Sequence, residues 1–324
     1  MLRFKALTFL LSLAALSATA FGQRANPVSP GTLNYVEGQA SIEGRPLSSQ
    51  SVGNTMLEAG QVLATANGKA EVLLTPGIFL RLGNDTTVQM VSPDLTHTEI
   101  KLVQGHADVE VDQIYPQNTI LIDLKNGQTQ LLKNGLYAFD ASNATVRVFD
   151  GKAAVYPGAN PQANVKPIDV KGGHQLVLNG EPLKPQGFNK DEAKADPLYK
   201  WSSLRSNYLG EANLNLAEEY AGYSGFYPGW YWAGGPFGYT WLPGDGLFWS
   251  PFGYGFYSPY YIRGGGFIYG GYGRGFYRGG YPVGGYRGGA VRAQGFHGGG
   301  GGGGFHGGGG GGSFHGGGGG GGHR

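Results

Sequence analysis

Asn67-Gly68-Lys69-Ala70-Glu71-Val72-Leu73 is a phrase that the chain repeats. Gln104-Gly105-His106-Ala107-Asp108-Val109-Glu110 and Asp150-Gly151-Lys152-Ala153-Ala154-Val155-Tyr156 are two further copies, and Glu37-Gly38-Gln39-Ala40 and Asn126-Gly127-Gln128-Thr129 are looser ones. Glycine supplies the positive φ of a tight turn, and the residues after it alternate with the period of a strand. Gly105, Gly127, Gly151 and Gly173 recur about every 22 to 24 residues, as stacked or meandering β units would.

Around this phrase, residues 31–183 read as a run of short strands separated by turn signals. Leu33–Tyr35 and Ala40–Ile42 form a first pair. Gln61–Thr65 leads into a turn at Asn67-Gly68, and Lys69–Thr75, Ile78–Leu82 and Thr86–Val91 follow. The series continues through Thr98–Val103, His106–Asp112, Thr119–Leu124, Gln128–Leu132, Leu136–Asp140, Thr145–Phe149, Lys152–Tyr156 and Gln175–Leu178. Without helical connectors the expectation is an all-β fold, either a β-helix-like stack or a sandwich. A helical segment over 190–220 caps it. Asp196-Pro197 is a start signal, and Leu198, Trp201, Leu204, Tyr208 and Ala212 fall on one stripe, read as a lid over the β body. Residues 221–268 are rich in aromatics, glycine and proline, and read as loops and short hairpins packed on that body. A surface for sugar rings or a membrane interface is the alternative.

The chain has 324 residues, 63 of them glycine, with a formal net charge of +2 and no cysteine. Disulfides, thiol catalysis and cysteine metal sites are thereby excluded. Residues 1–22 read as a secretory leader. Arg3 and Lys5 precede an apolar stretch, Ala6–Leu16, and Ala18-Thr19-Ala20 offers a cleavage site. Residues 269–324 form a tail of glycine, arginine and histidine, expected to be disordered because glycine at this density cannot offset its ordering entropy.

Motifs for catalysis are missing: no GxSxG, HExxH or P-loop lysine occurs. The expectation is a protein without enzyme activity or cofactor. The tail histidines His297, His306, His315 and His323 are the candidate metal ligands, spaced by flexible glycine that fixes no geometry. His97, His106 and His174 read as strand or turn residues with ordinary partners. Asp108, Glu110 and Asp112 alternate and so share one strand face, expected to be a solvated outer face, with a divalent-ion site as the alternative. Arg274-Gly275 and Arg278-Gly279-Gly280 are of the kind that binds RNA, but a leader peptide directs the chain away from it. No nucleic-acid partner and no transmembrane helix in the mature chain are expected.

Leu63 to Tyr156 resembles the FecR-type domain, the periplasmic part of bacterial ferric-citrate-type signalling regulators. The resemblance is carried by four stretches in order: Leu63–Leu74, Pro76–Leu82, Leu102–Val111 and Val146–Ala153. It implies an all-β, β-helix-like domain used for protein contact, without enzyme activity. In those regulators an anti-sigma segment and a membrane helix precede the domain, and here the leader takes their place. The function expected is an exported, FecR-like, protein-binding module of the bacterial cell envelope, at the periplasm or cell surface. Its partner would be an envelope protein or polysaccharide. The rivals are a surface or matrix structural protein acting through its aromatic and Gly-His tail, and low-affinity metal binding by the tail.

Overall fold

The computed structural model describes residues 28–158 and 165–266, which fall within one of the two units into which the chain divides. The leader read at 1–22 and the tail read at 269–324, with its four histidines, lie outside the described residues.

The strands are β1 (Leu33–Ile42), β2 (Arg45–Pro46), β3 (Val62–Leu73), β4 (Ile78–Leu82), β5 (Thr87–Pro93), β6 (His97–Gln104), β7 (His106–Val111) and β8 (Thr119–Leu124). They continue as β9 (Gly127–Leu131), β10 (Gly135–Asp140), β11 (Thr145–Asp150), β12 (Lys152–Pro157), β13 (Ile168–Lys171), β14 (His174–Val177) and β15 (Gln186–Gly187). All belong to a 15-stranded sheet in the order β13-β12-β9-β8-β6-β5-β3-β4-β7-β10-β11-β14-β15, with β1 paired to β2 and β3.

That order explains the glycine spacing. Strands β6 and β7, separated by Gly105 alone, lie in different halves of the sheet, as do β11 and β12 on either side of Gly151. Strands β13 and β14 lie in opposite halves yet are joined across Gly172-Gly173. The sheet must therefore fold over on itself, and the chain shuttles between its halves. The copies at Gly105 and Gly151 mark corners between the halves, while Gly127 opens β9 after the hairpin turn from β8. At Gly105 φ is +81°, and an added Cβ would sit 2.4 Å from Thr86 Oγ1, so only glycine fits that corner. The fold is all-β, in the sandwich form of the expectation. Among the described residues β6 and β8 pair in parallel, an arrangement made possible because β7 crosses the other half between them.

The first copy behaves differently from its reading. The turn expected at Asn67-Gly68 is absent: β3 runs unbroken from Val62 to Leu73, and β1 likewise joins the two segments read as a pair. Gly38 and Gly68 are directly opposed in the β1–β3 pairing, next to a register shift. A Cβ on Gly68 would lie 2.5 Å from the Gln39 nitrogen. Two facing glycines let both backbones bend together, so β3 pairs with β5 on one side of the bend and with β4 on the other.

Inward side chains of both halves share one core, Val88, Ile100 and Ile122 from the first with Val109, Phe139 and Val146 from the second. Each such side chain contributes about 1.5–3 kcal/mol by its burial. The outer face of β3, β4 and β7 is covered as well. A one-turn helix α1 (Lys190–Ala193) leads into α2 (Pro197–Tyr220), and then come two hairpins, β16 (Gly229–Trp232) with β17 (Tyr239–Leu242) and β18 (Leu247–Trp249) with β19 (Gly255–Tyr257). Leu73 and Phe79 of the sheet, Leu209 of α2, and Trp241 and Phe256 of the hairpins form a second apolar cluster. The segment after 221 is thus hairpins packed on the body. Asp196 caps α2 as expected, its Oδ1 accepting from the Leu198 nitrogen at 2.7 Å.

Candidate functional site

The outer face of β3, β4 and β7 carries charge, and the cover is built to meet it. Glu71 and Arg81 face one another across β3 and β4, and Arg81 faces Asp108 across β4 and β7. Arg81 donates from Nε to Glu71 Oε2 at 2.7 Å and from Nη1 to Glu110 Oε2. From α2, Arg205 Nη2 donates to Glu71 Oε1 at 2.8 Å, Ser206 Oγ to Glu110 Oε1 at 2.6 Å, and Ser202 Oγ to Asp108 Oδ2 at 2.8 Å. These residues are all buried. Taking each ion out of water costs several kcal/mol, which this pairing offsets in part: Arg81 Nη2, Arg205 Nε and both oxygens of the adjoining Asp112 are buried without a hydrogen-bond partner among the described residues.

The charges settle accordingly. Burial alone would raise the Glu71 carboxyl, but Arg205 and Arg81 bring it down to about 2. Burial would lower the Arg81 guanidinium, but Glu110 and Glu71 raise it. Asp108 is pushed up to about 7, chiefly by burial, with the Ser202 hydrogen bond working against the shift and Asp196 adding to it. Asp112, buried beside Glu110, is raised well above the usual carboxylate range by burial and by that neighbour. Two arginines thus stand against two glutamates in the network, and burial favours the protonated form of both Asp108 and Asp112.

The alternation of Asp108, Glu110 and Asp112 does place them on one face, but neither reading of that face survives. It is buried beneath α2 rather than solvated, because the helix brings Ser202, Arg205 and Ser206 to it, and Asp108 and Glu110 already hold hydrogen-bond partners; Asp108 alone keeps an edge on a cavity. Among the described residues no group of three or more histidines, aspartates or glutamates is placed to hold a metal ion. The helix stripe is corrected too. Leu198, Trp201 and Ala212 are buried as read, but Leu204 and Tyr208 are exposed, and Ser202, Arg205, Ser206, Leu209 and Asn213 are buried with the first three. Glu71, Arg81 and Arg205 were missed. The available signals were a lone arginine within the apolar run Ile78–Leu82, and Ser202, Arg205 and Ser206 spaced three and four apart along the helix. His97 and His106 are exposed and lie beside Glu99 and Asp140; His174 Nδ1 lies 3.3 Å from the Gly172 carbonyl oxygen.

Beside the buried network, where α2 begins, a cavity of about 200 Å³ is lined by Asp108, His106, Asp140, Arg147, Asp196 and Tyr199, among others. A separate hollow lies beside it, lined by Gln175, Phe188 and Glu192 among others and sharing Arg147, Ala193 and Asp196 with it. Arg147 Nε donates to Gln175 Oε1 at 3.0 Å, and its guanidinium lies 5.2 Å from the centre of the Phe188 ring. Asp140 is held below the usual carboxylate range: burial works against this, and hydrogen bonds from Asn143 and the neighbouring His106 outweigh it.

No family model matches the chain, and no curated protein matches it. Two crystal structures of a candidate anti-sigma factor from Parabacteroides distasonis are similar to it. One is 14% identical, with a TM-score of 0.34 over 42% of this chain and 64% of that one. The other is 13% identical, with a TM-score of 0.33 over 41% and 61%. This chain thus spans less than two thirds of the length of either. Among the described residues no helix is long and apolar enough to cross a membrane.

Proposed function

We propose that the protein is an exported, non-enzymatic binding module of the bacterial cell envelope, FecR-like in kind, that captures an envelope protein or polysaccharide through exposed loops. The observation that carries this reading is the set of aromatic rings left outside once the cover has packed. Tyr227 is 79% exposed, Trp249 62% and Tyr223 59%. Several rings around them are braced rather than loose: Phe226 stacks on Tyr231 at 5.6 Å and meets Tyr260 edge-on at 5.7 Å, and Tyr220 meets Tyr231 at 4.9 Å. Rigid amphipathic rings give large contact area at low entropic cost, and exposed aromatic patches are where partners bind.

A photo-crosslinking residue placed at Tyr227 in cells tests this. It should trap a discrete envelope component, and Tyr223→Ala with Tyr260→Ala should remove the adduct. Deleting 267–324 should leave capture intact. Loss of capture on that deletion would transfer the function to the tail, as the structural-protein and metal-binding rivals require.

A further inference from the structure

The cavity at the start of α2 is lined by opposite charges, each left with capacity to spare. Arg147 is held from behind, by Gln175 through Nε and by the face of Phe188, and among the described residues its terminal nitrogens make no hydrogen bond. A guanidinium fixed in this way presents a planar fork that matches a carboxylate. Across from it is Asp108, only 4% exposed, whose Oδ2 takes the Ser202 hydroxyl while Oδ1 has no partner among the described residues. A carboxyl oxygen at a cavity wall with no donor of its own can accept one from a bound group. Asp196 and Asp140, at the same cavity, have oxygens committed to backbone nitrogens of the α2 cap and of the turn after β10.

Neither half-ligand suits the cavity alone. A simple carboxylate would meet Asp140 and Asp196 as well as Arg147, and a simple amine would meet Arg147 as well as the acids. We infer that this cavity binds a small zwitterion of free amino-acid size, its carboxylate on Arg147 and its ammonium on Asp108. The volume of about 200 Å³ agrees, falling below the roughly 300–1,000 Å³ of pockets for larger ligands. Nothing in the proposed envelope function requires this site, so each stands or falls alone.

The ammonium has a further consequence. Asp108 faces Arg81 from β4, Ser202, Tyr199 and Asp196 from α2 and its cap, and Arg147 from β11, with His106 two residues along its own strand and Asp140 beside it on β10. In that setting it keeps a proton to about pH 7, so an arriving ammonium expels it into the buffer.

Calorimetry on the full chain at mildly acidic pH tests the inference with the common amino acids singly, and with methylamine and acetate as half-ligands. At least one amino acid should bind with a Kd below about 1 mM while both half-ligands give no heat. Its heat should depend on the ionisation enthalpy of the buffer, and this dependence should vanish in Asp108→Asn. Arg147→Gln should weaken binding about tenfold or more, and Gln175→Leu, which frees Arg147 without removing it, should weaken it less. No binding by any amino acid, binding of acetate or methylamine as tight as that of the amino acid, or unchanged affinity in a folded Arg147→Gln protein would each overturn the inference.

Discussion

Two buried carboxyls in one network respond to pH in opposite directions. Asp108 has a folded-state pKa of about 7 against 3.8 for a free aspartate. The folded state thus keeps a proton that the unfolded chain gives up, and stability falls as pH rises from about 4 to about 7, by on the order of 4 kcal/mol, then levels off. Glu71 runs the other way: its pKa drops from 4.5 to about 2, so its contribution is present above 4.5 and is lost as pH falls towards 2. Urea titrations should therefore place maximum stability at pH 4–5. Asp108→Asn, which keeps an acceptor for Ser202, should match wild type at pH 4 and exceed it at pH 8. Parallel pH curves for the two proteins would refute this. Glu71→Gln leaves Arg81 and Arg205 short of a charge in a dry site and should cost about 3–5 kcal/mol. Glu37→Gln, which breaks the partly exposed pair with Lys69 at 3.1 Å, should cost less than about 1 kcal/mol by the same titration. Of these residues, Asp108 and Glu110 were visible in the sequence as alternating acids. Arg81 became their neighbour only through the pairing of β4 with β7, and their serine partners lie far along the chain and became legible only once the helix was placed.

At the scale of elements, α2 is a helix whose start was written locally and whose buried face was not. Asp196 and Pro197 form a cap from adjacent residues, so the start was readable. The apolar stripe was right at Leu198, Trp201 and Ala212 and wrong at Leu204 and Tyr208 because the sheet face beneath is itself charged, and a helix that covers charge buries serine, arginine and asparagine beside its leucines. Asn213 shows the trade: its Nδ2 donates to the Trp241 and Tyr257 carbonyls and its Oδ1 accepts from the Tyr257 nitrogen, tying α2 to both hairpins. The corrected face is open to measurement. Leu209→Ala should cost about 2–5 kcal/mol as a cavity in the second apolar cluster. Leu204→Ser and Tyr208→Ser should stay within about 0.5 kcal/mol of wild type in chemical denaturation. The reverse ranking would restore the simple stripe.

For the whole molecule, the cover counts as part of the fold. A fragment of residues 28–266 should show a strand-dominated circular-dichroism spectrum and one cooperative melt. A fragment ending at 195 leaves Glu71, Arg81 and Glu110 without α2 and should fail to melt cooperatively; cooperative unfolding of that shorter piece would show the cover to be an accessory. The sequence by itself determined that strands dominate, that glycine punctuates them and that one capped helix follows, because turn chemistry, alternation and capping act between residues a few positions apart. Only the tertiary structure decided that Gly68 bends a strand instead of ending it, that the halves of the sheet fold face to face, and that acids read as solvated lie dry under a helix. Each of those outcomes depends on what a distant segment brings to the other side of a contact, and local pattern carries no information about that.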